Sequence, residues 1–336
     1  MKILFSGHHN PHFLTITEYL EKAIRSLGHE LVIFEDRRHL IPGRIRQKLP
    51  FLERFDLQII NQRLLKMAGE ARPDLAIVTG GHRILPETVE KMKKLGTRAV
   101  LWTIDAPIDF QPLLAAAPVY DHLFCQGTEA IELFSKAGIT NTRWLPMACD
   151  PDFHHPVDIG ASAREKYGND IVFVGSFYPE RARLFEKLAE FDFAIWGPGW
   201  ENLSSSSPLR RCVRAAHTTL AEWVKIYSAG KIVLATHYHD PQSSFPVYQA
   251  SPRIFEALAC GAFVICDQQR DVFSLFEAGK HLAAFADIND LKDKINFYLN
   301  HPEARKTIAA VGQEEVVTNH TYIHRINELL ATIGLV

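Results

Sequence analysis

The sequence predicts an α/β fold of two Rossmann-like domains. Three observations lead to this prediction: a length of 336 residues, short apolar runs that alternate with amphipathic stretches, and a break in this alternation near the middle. At about 150 residues per domain, the length suggests two domains. A hydrophobic fraction of 47% and a charged fraction of 23% are ordinary for globular proteins, so each half can bury a core.

Strand patterns of the first half are KILFSG, ELVIFE, DLAIVTGG, RAVLWTID, DHLFCQG and TRWLPMA. Helical patterns cover residues 13–27 and 128–137, and we expect Thr128 to cap the second of these helices. Such alternation is typical of a parallel sheet with crossover helices. The first domain is therefore predicted to span residues 1–150.

A second series follows residues 149–157, whose prolines and polar residues predict an interdomain linker. Its strand patterns are DIVFVGS, FDFAIWGPG, KIVLATH, AFVICD and LAAFAD, with helices that begin near Glu180, Thr219, Pro252, Asp271 and Asn289. This series predicts a second domain over residues 157–318. Two such domains facing each other leave a cleft at the carboxyl ends of their strands, where ligands of these folds bind.

Composition argues against several classes of protein. A net charge of -2 offers no overall attraction to nucleic acid, which we do not expect as a partner. The five cysteines have no CxxC spacing and are odd in number, which indicates neither a zinc site nor a disulfide framework. The opening MKILFSG has the pattern of a buried strand rather than of a signal peptide, and no apolar run reaches the roughly 20 residues of a membrane span, so we expect a cytoplasmic protein.

Two basic stretches, residues 37–48 and 204–217, fit the strand and helix alternation poorly. We expect exposed loops or short basic helices there. One interpretation is a solvated surface, and the other is a surface that meets an anionic acceptor or membrane headgroups. Membrane contact is thus expected to be peripheral at most.

The string SPRIFEALACGAFVICD, the segment from GKHLAAFADIND to HTYIHRI, and the first-half motifs DAPID and RWLPMACDP carry a family resemblance. They resemble the CgeB and YkvP glycosyltransferase-like family over most of the chain, most strongly between Tyr227 and Arg325. The resemblance implies a GT-B glycosyltransferase with a nucleoside-diphosphate sugar as donor substrate and with no obligatory metal or other cofactor. It also implies a C-terminal helix, residues 319–336, that crosses back to the first domain.

That helix has its own pattern. Ile323, Ile326, Leu329 and Leu330 form one apolar stripe at i, i+3, i+6 and i+7, and we expect Arg325 and Glu328 on the solvated side.

The donor site is predicted at SPRIFEALACG. Ser251 can cap a helix whose first residue is Pro252, and backbone N–H groups at such a helix start suit a diphosphate, with Arg253 adding positive charge. The resemblance implies that Glu256 binds the donor ribose hydroxyls. The alternative is that Arg253 and Glu256, three residues apart, form a surface ion pair. Related retaining enzymes carry a second glutamate eight positions earlier, where this chain has Tyr248, so the resemblance implies no stereochemical outcome.

Two loops of the second domain add candidates for donor binding. In FVGSFYPER, Gly175 allows close backbone approach to a ligand, and Arg181 can bind phosphate oxygens. Ser176 of the same loop is a further candidate for donor binding. The alternative is an ordinary turn with a solvated arginine. In WGPGW, Gly197 and Gly199 form a rigid loop that borders the nucleotide base in GT-B enzymes, or serves only as a turn.

In the first domain, His8, His82 and Asp105 follow strands and are chemically suited to accept a proton from an acceptor hydroxyl. His8, His9 and His12 form an HHxxH pattern, but no acidic cluster accompanies it, and we predict no metal site.

The predicted function is sugar transfer from a nucleotide-sugar to an acceptor that the sequence does not identify. Two alternatives are a nucleotide-sugar epimerase of the same architecture and a non-catalytic protein of sugar binding or coat assembly. Glu35 and Asp36 after the second strand keep a nicotinamide site open, although the glycines of its fingerprint are missing.

Overall fold

The computed structural model of the chain describes residues 1–10, 14–46, 48–104, 110–238 and 246–335. The chain divides into two compact units. The first consists of Met1–Pro146 together with Arg325–Val336, and the second is Met147–His324. Residues 149–157, predicted as a linker, lie in the second unit, where Cys149 N–H donates to His320 O and Tyr322 N–H donates to Cys149 O, both at 3.0 Å.

The first unit is built around a parallel sheet. In the described part of the chain its strands are β1 (Lys2–Gly7), β2 (Glu30–Glu35), β3 (Leu75–Thr79), β4 (Arg98–Thr103), β5 (His122–Cys125) and β6 (Thr142–Trp144), in the order β2-β1-β3-β4-β5-β6. Its helices are α1 (Ile16–Ser26), α2 (Gly43–Arg46), α3 (Pro50–Ala71), α4 (Pro86–Lys94), α5 (Gln111–Ala116) and α6 (Thr128–Lys136). The crossovers place the core between the sheet and these helices.

The second unit repeats this plan. Its described strands are β7 (Ile171–Val174), β8 (Phe193–Trp196), β9 (Val213–Ala215), β10 (Ile232–Ala235), β11 (Val264–Asp267) and β12 (Ala283–Phe285), all parallel in the order β12-β11-β10-β7-β8-β9. Its helices are α7 (Ala161–Tyr167), α8 (Pro179–Glu186), α9 (Leu220–Ala229), α10 (Pro252–Ala259), α11 (Arg270–Phe273), α12 (Ile288–Asn300), α13 (Pro302–Asn319) and the start of α14 (Tyr322–Thr332).

The predicted α/β architecture of two Rossmann-like domains is confirmed, with three local corrections. Thr128 is the first residue of α6 and Gly127 is its N-cap, so Thr128 does not cap the helix. Residues 204–217 are not simply a basic loop or helix, because β9 lies within them and pairs with β8. The long helix α3 had not been singled out from the sequence.

The C-terminal helix α14 begins in the second unit and ends in the first. The prediction was wrong for two of its residues. Ile323, expected in the apolar stripe, is 41% exposed, and Arg325, expected on the solvated side, is 5% exposed, with its Nε donating to Pro146 O at 2.9 Å. The buried stripe therefore starts at Tyr322 and continues through Ile326. All five cysteines are buried, and none of them forms a disulfide bond in the structure.

Candidate functional site

The start of α10 lies beside the carboxyl ends of β7 and β10. Ser251 is the N-cap, as predicted, but its side chain makes no capping hydrogen bond. Pro252 has no N–H, and the N–H of Ile254 donates to Ser251 O at 3.0 Å. Within the described residues, the backbone N–H of Arg253 is the first-turn donor that has no hydrogen-bond partner, so it is available to a ligand.

Arg253 and Arg181 meet at this helix start. The Nε of Arg253 donates to Val174 O at 2.6 Å, and the Nε of Arg181 donates to the hydroxyl of Thr236 at 3.0 Å. Both guanidinium groups lie over the ring of Phe173, at 4.7 and 4.9 Å. Neither arginine has a carboxylate within ion-pair distance in the described part of the chain. Two cations at the positive end of a helix repel one another, and a bound anion would relieve this repulsion.

Arg181 is buried, so the interpretation of this residue as a solvated arginine was wrong. It is 6% exposed, Nη1 donates to Ser176 O at 2.5 Å and Nη2 donates to Thr236 O at 3.0 Å. Burial, and then the charge of Arg253, lower the pKa of Arg181 to about 9, so that it stays a cation at neutral pH. Its contacts join the loop after β7 to the end of β10.

Glu256 lies one turn into α10 and is 5% exposed. No hydrogen bond to its carboxyl group and no ion pair with Arg253 is present within the described residues, so the surface ion-pair interpretation was wrong. Burial raises the pKa of Glu256 to about 8, against an opposing effect of Arg253. A buried carboxyl without donors is costly unless a ligand supplies them.

His237 anchors the same helix start, a role that no sequence motif predicts. The N–H of Ser251 donates to His237 Nε2 at 3.0 Å, so the ring proton lies on Nδ1, where it donates to Asp267 Oδ1 at 2.5 Å. Burial opposes ionisation of Asp267, but the hydrogen bonds from the ring and the backbone N–H of His237 outweigh it and lower the pKa of this carboxyl. A histidine that follows one strand and an aspartate that ends the neighbouring strand were the available signal.

The two glycine loops pack on each other. A Cβ on Gly175 would meet Arg253 Nη2 at 2.3 Å, and a Cβ on Gly197 would meet Gly175 O at 2.1 Å. Gly199 has φ +85° and lies against Phe177. The glycines thus make room for Arg253 and for loop packing within the second unit.

In the first unit, Glu35 holds two histidines after β1. His8 Nδ1 lies 3.1 Å from Glu35 Oε1, and His9 Nδ1 lies 2.9 Å from Glu35 Oε2. Burial disfavours the charged form of Glu35, but hydrogen bonds from His9 and then from His8 outweigh this effect and lower the pKa of Glu35. His82 is exposed and follows β3, and it lines a pocket of the first unit that His8 also lines. Asp105 lies outside the described residues.

Groups of three or more potential metal ligands do not occur in the part of the chain that the structure describes, and His12 falls outside it. Within the same residues, no helix is both long enough and apolar enough to cross a membrane.

Comparison with solved structures shows the fold. The chain superposes on sucrose-phosphate synthase from Thermosynechococcus elongatus with a TM-score of 0.69 and 14% identity, covering 99% of each chain. It superposes on the Anabaena protein HepE, in complex with UDP and glucose, with a TM-score of 0.65 and 15% identity over 100% of each chain. These similarities confirm the predicted two-domain GT-B fold.

Comparison of sequences shows the family. The chain is 22% identical to spore protein CgeB of Bacillus subtilis (strain 168) over 262 residues, which are 75% of this chain and 80% of that protein. The model of the glycosyl transferase-like family matches residues 164–331. The predicted resemblance and the predicted enzyme class are thereby confirmed, and the chain belongs to the glycosyl transferase-like family.

Proposed function

We propose that the protein transfers a sugar from a nucleoside-diphosphate sugar to an acceptor hydroxyl, without a metal or other cofactor. The observation that carries the proposal is Glu256, a buried carboxyl behind the start of α10, where Arg253 and Arg181 meet. Among the residues that the structure describes, Glu256 has no hydrogen-bond donor and the two arginines have no carboxylate partner. In this proposal the donor diphosphate binds at the amino end of α10 and the ribose hydroxyls donate to Glu256.

Each group at this helix start has a separate task in the reaction. The N–H and guanidinium of Arg253, with the helix dipole behind them, stabilise the charge that develops on the leaving nucleoside diphosphate. Arg181 holds Thr236 and the loop at Ser176, and its charge adds to the positive potential. The acceptor oxygen bonds to the anomeric carbon as the bond from that carbon to the diphosphate oxygen breaks.

Candidate residues for the acceptor come from the first unit. Glu35 orients His8, which is the arrangement of a general base held by a carboxylate. His82 and Asp105 remain proposed acceptor-side residues because both follow strands. The complex of the similar Anabaena protein with UDP and glucose supports uridine nucleotides as the first donors to test.

The test combines binding with product analysis. UDP should raise the melting temperature, since a ligand that binds only the folded state stabilises it. The Arg253→Met variant should bind UDP at least about tenfold more weakly, as expected for a lost charged contact. The control Arg183→Met removes an exposed arginine of the same unit, paired with Glu180, and should bind UDP normally.

Incubation of the protein with UDP-glucose in the absence of any acceptor distinguishes the alternatives. Slow release of glucose and UDP, in which water replaces the acceptor, supports the proposed transferase activity. An isomerised nucleotide-sugar would instead identify an epimerase. Failure of UDP and other nucleoside diphosphates to bind would contradict the proposal.

A further inference from the structure

A pocket separate from the α10 site lies in the first unit, at the carboxyl ends of β1, β2 and β3. Its volume is about 180 Å³ and its polar lining includes His8, Asp36, Arg37, His82 and Arg83. A pocket of this size fits a small hydroxylated molecule better than a large one. Ligands of open α/β sheets bind at this end of the strands.

Asp36 is the group in this lining that lacks a donor. It is 7% exposed, and its Oδ1 has no hydrogen-bond partner in the described part of the chain. Burial, followed by the charge of Glu35, raises the pKa of Asp36 to about 6. Glu35 differs because His8 and His9 already occupy its two oxygens. A ligand hydroxyl is the kind of donor that Asp36 lacks.

Arg37 and Arg83 bring positive charge to the same pocket. Neither is in an ion pair within the described residues, whereas the neighbouring Arg46 is paired with Glu53 at 3.1 Å and with Asp56 at 3.4 Å. Burial, and then repulsion from Arg37 and Arg46, lower the pKa of Arg83. Nη1 of Arg83 lies 2.8 Å from His39 Nε2, which brings no negative charge. Two guanidinium groups at one pocket, without a carboxylate partner among the described residues, are stabilised by an anion that carries more than one charge.

We propose that this pocket binds a hydroxylated phosphate monoester, such as a sugar phosphate. Arg37 and Arg83 bind the phosphate, and Asp36 accepts a hydrogen bond from a hydroxyl. A phosphate monoester fits because its charge of nearly -2 matches two guanidinium groups and its oxygens match their planar geometry. The inference rests on the proposed function in one respect: the phosphate monoester bound in this pocket is the acceptor of the proposed sugar transfer.

Calorimetric titration of the full chain near neutral pH, without nucleotide, tests the pocket. The probes are glucose 6-phosphate and glycerol 3-phosphate, with glucose, glycerol and inorganic phosphate for comparison. We expect a phosphate monoester to bind more tightly than inorganic phosphate, and the unphosphorylated compounds not to bind. In the Asp36→Asn variant the affinities for the monoester and for inorganic phosphate should lie closer together than in the parent chain, because the charged acceptor of the monoester's hydroxyl is lost.

Variants of the arginines locate the binding. Arg37→Met and Arg83→Met should each weaken monoester binding about tenfold or more. Arg54→Met removes an exposed arginine of α3 that does not line the pocket, and it should bind within about twofold of the parent chain. All these variants should still bind UDP as the parent does.

Two results would overturn the inference. One is no binding of either monoester up to about 1 mM, and the other is equal monoester binding by the parent chain and by the Arg37→Met and Arg83→Met variants. Failure of UDP binding in the parent chain would contradict the proposed function instead, and the phosphate titrations would still decide on the pocket.

Discussion

Glu256 shows how a single residue can connect donor binding with pH. The ordinary pKa of the carboxyl is 4.5, and burial raises it to about 8 in the folded chain. Between these values the folded state keeps a proton that the unfolded chain has lost, so stability falls as the pH rises, and it stops falling above about pH 8. Glu256→Gln has no carboxyl group at this position to titrate, so it should not show this loss of stability. Above pH 8 its free energy of unfolding should exceed that of the parent by a few kcal/mol, because the pKa of Glu256 differs by several units between the folded and unfolded chain. Urea unfolding at acidic and alkaline pH measures the difference.

The same substitution should weaken UDP binding, because ribose hydroxyls donate to the ionised carboxylate. Binding to the ionised form releases a proton, so the affinity of the parent chain for UDP should rise from about pH 7 to pH 8. Glu303→Gln is the control, since Glu303 is exposed on α13 and pairs only with Lys306 among the described contacts of its side chain. An unchanged pH dependence in Glu256→Gln would assign Glu256 a purely structural role.

At the level of the element, the start of α10 is held by a side chain from the neighbouring strand end. His237→Phe would remove the acceptor of the Ser251 N–H and the ring donor to Asp267, which would keep the backbone N–H of residue 237 as a donor. Each buried group left unpaired costs about 1–3 kcal/mol, and the helix start should lose its alignment with Arg253. We therefore expect lower stability and weaker UDP binding together, measured by thermal unfolding and calorimetry.

His281→Phe is the matched control for this prediction. His281 is buried in the same unit, and its Nδ1 accepts the N–H of Glu277 at 3.0 Å, which is the same kind of bond at a different turn. This variant should lose stability but keep its affinity for UDP. If both histidine variants bound UDP equally well, His237 would not position the helix start.

For the whole molecule, α14 links the second unit to the first. Ile326 is fully buried and Ile323 is 41% exposed, although they lie three residues apart on this helix. Ile326→Ala should lower the free energy of unfolding by about 2–5 kcal/mol, while Ile323→Ala should change it by less than about 0.5 kcal/mol. Denaturant unfolding of the two variants measures both values.

A truncation before Thr321 extends this prediction, because it removes all of α14. It should expose apolar surface of the first unit, increase the binding of a hydrophobic dye and reduce turnover of the donor. Normal turnover by the truncated chain would show that the helix is dispensable. Equal stability of the two alanine variants would show that burial along α14 does not contribute as the structure indicates.

Local periodicity in the sequence determined most of the elements. KILFSG and ELVIFE correspond to β1 and β2, and the predicted helix start at Pro252 is that of α10. Such signals are local, because apolar runs bounded by glycine, proline or polar residues specify a strand or helix by themselves. The strand ends that precede His8 and His82, and the helix start that carries Arg253, followed from the same patterns.

Tertiary structure alone decided which polar groups are buried and what they contact. For Arg181 and Glu256 the sequence left open both donor binding and a surface position. Asp36 belonged only to the nicotinamide alternative, and the residues of β9 belonged to a stretch expected to be a loop or a short basic helix. Their burial and pairing depend on residues distant in sequence, such as Thr236 for Arg181 and β8 for β9. The free energy of a buried charge is set by those neighbours and by the exclusion of water, neither of which a linear pattern encodes.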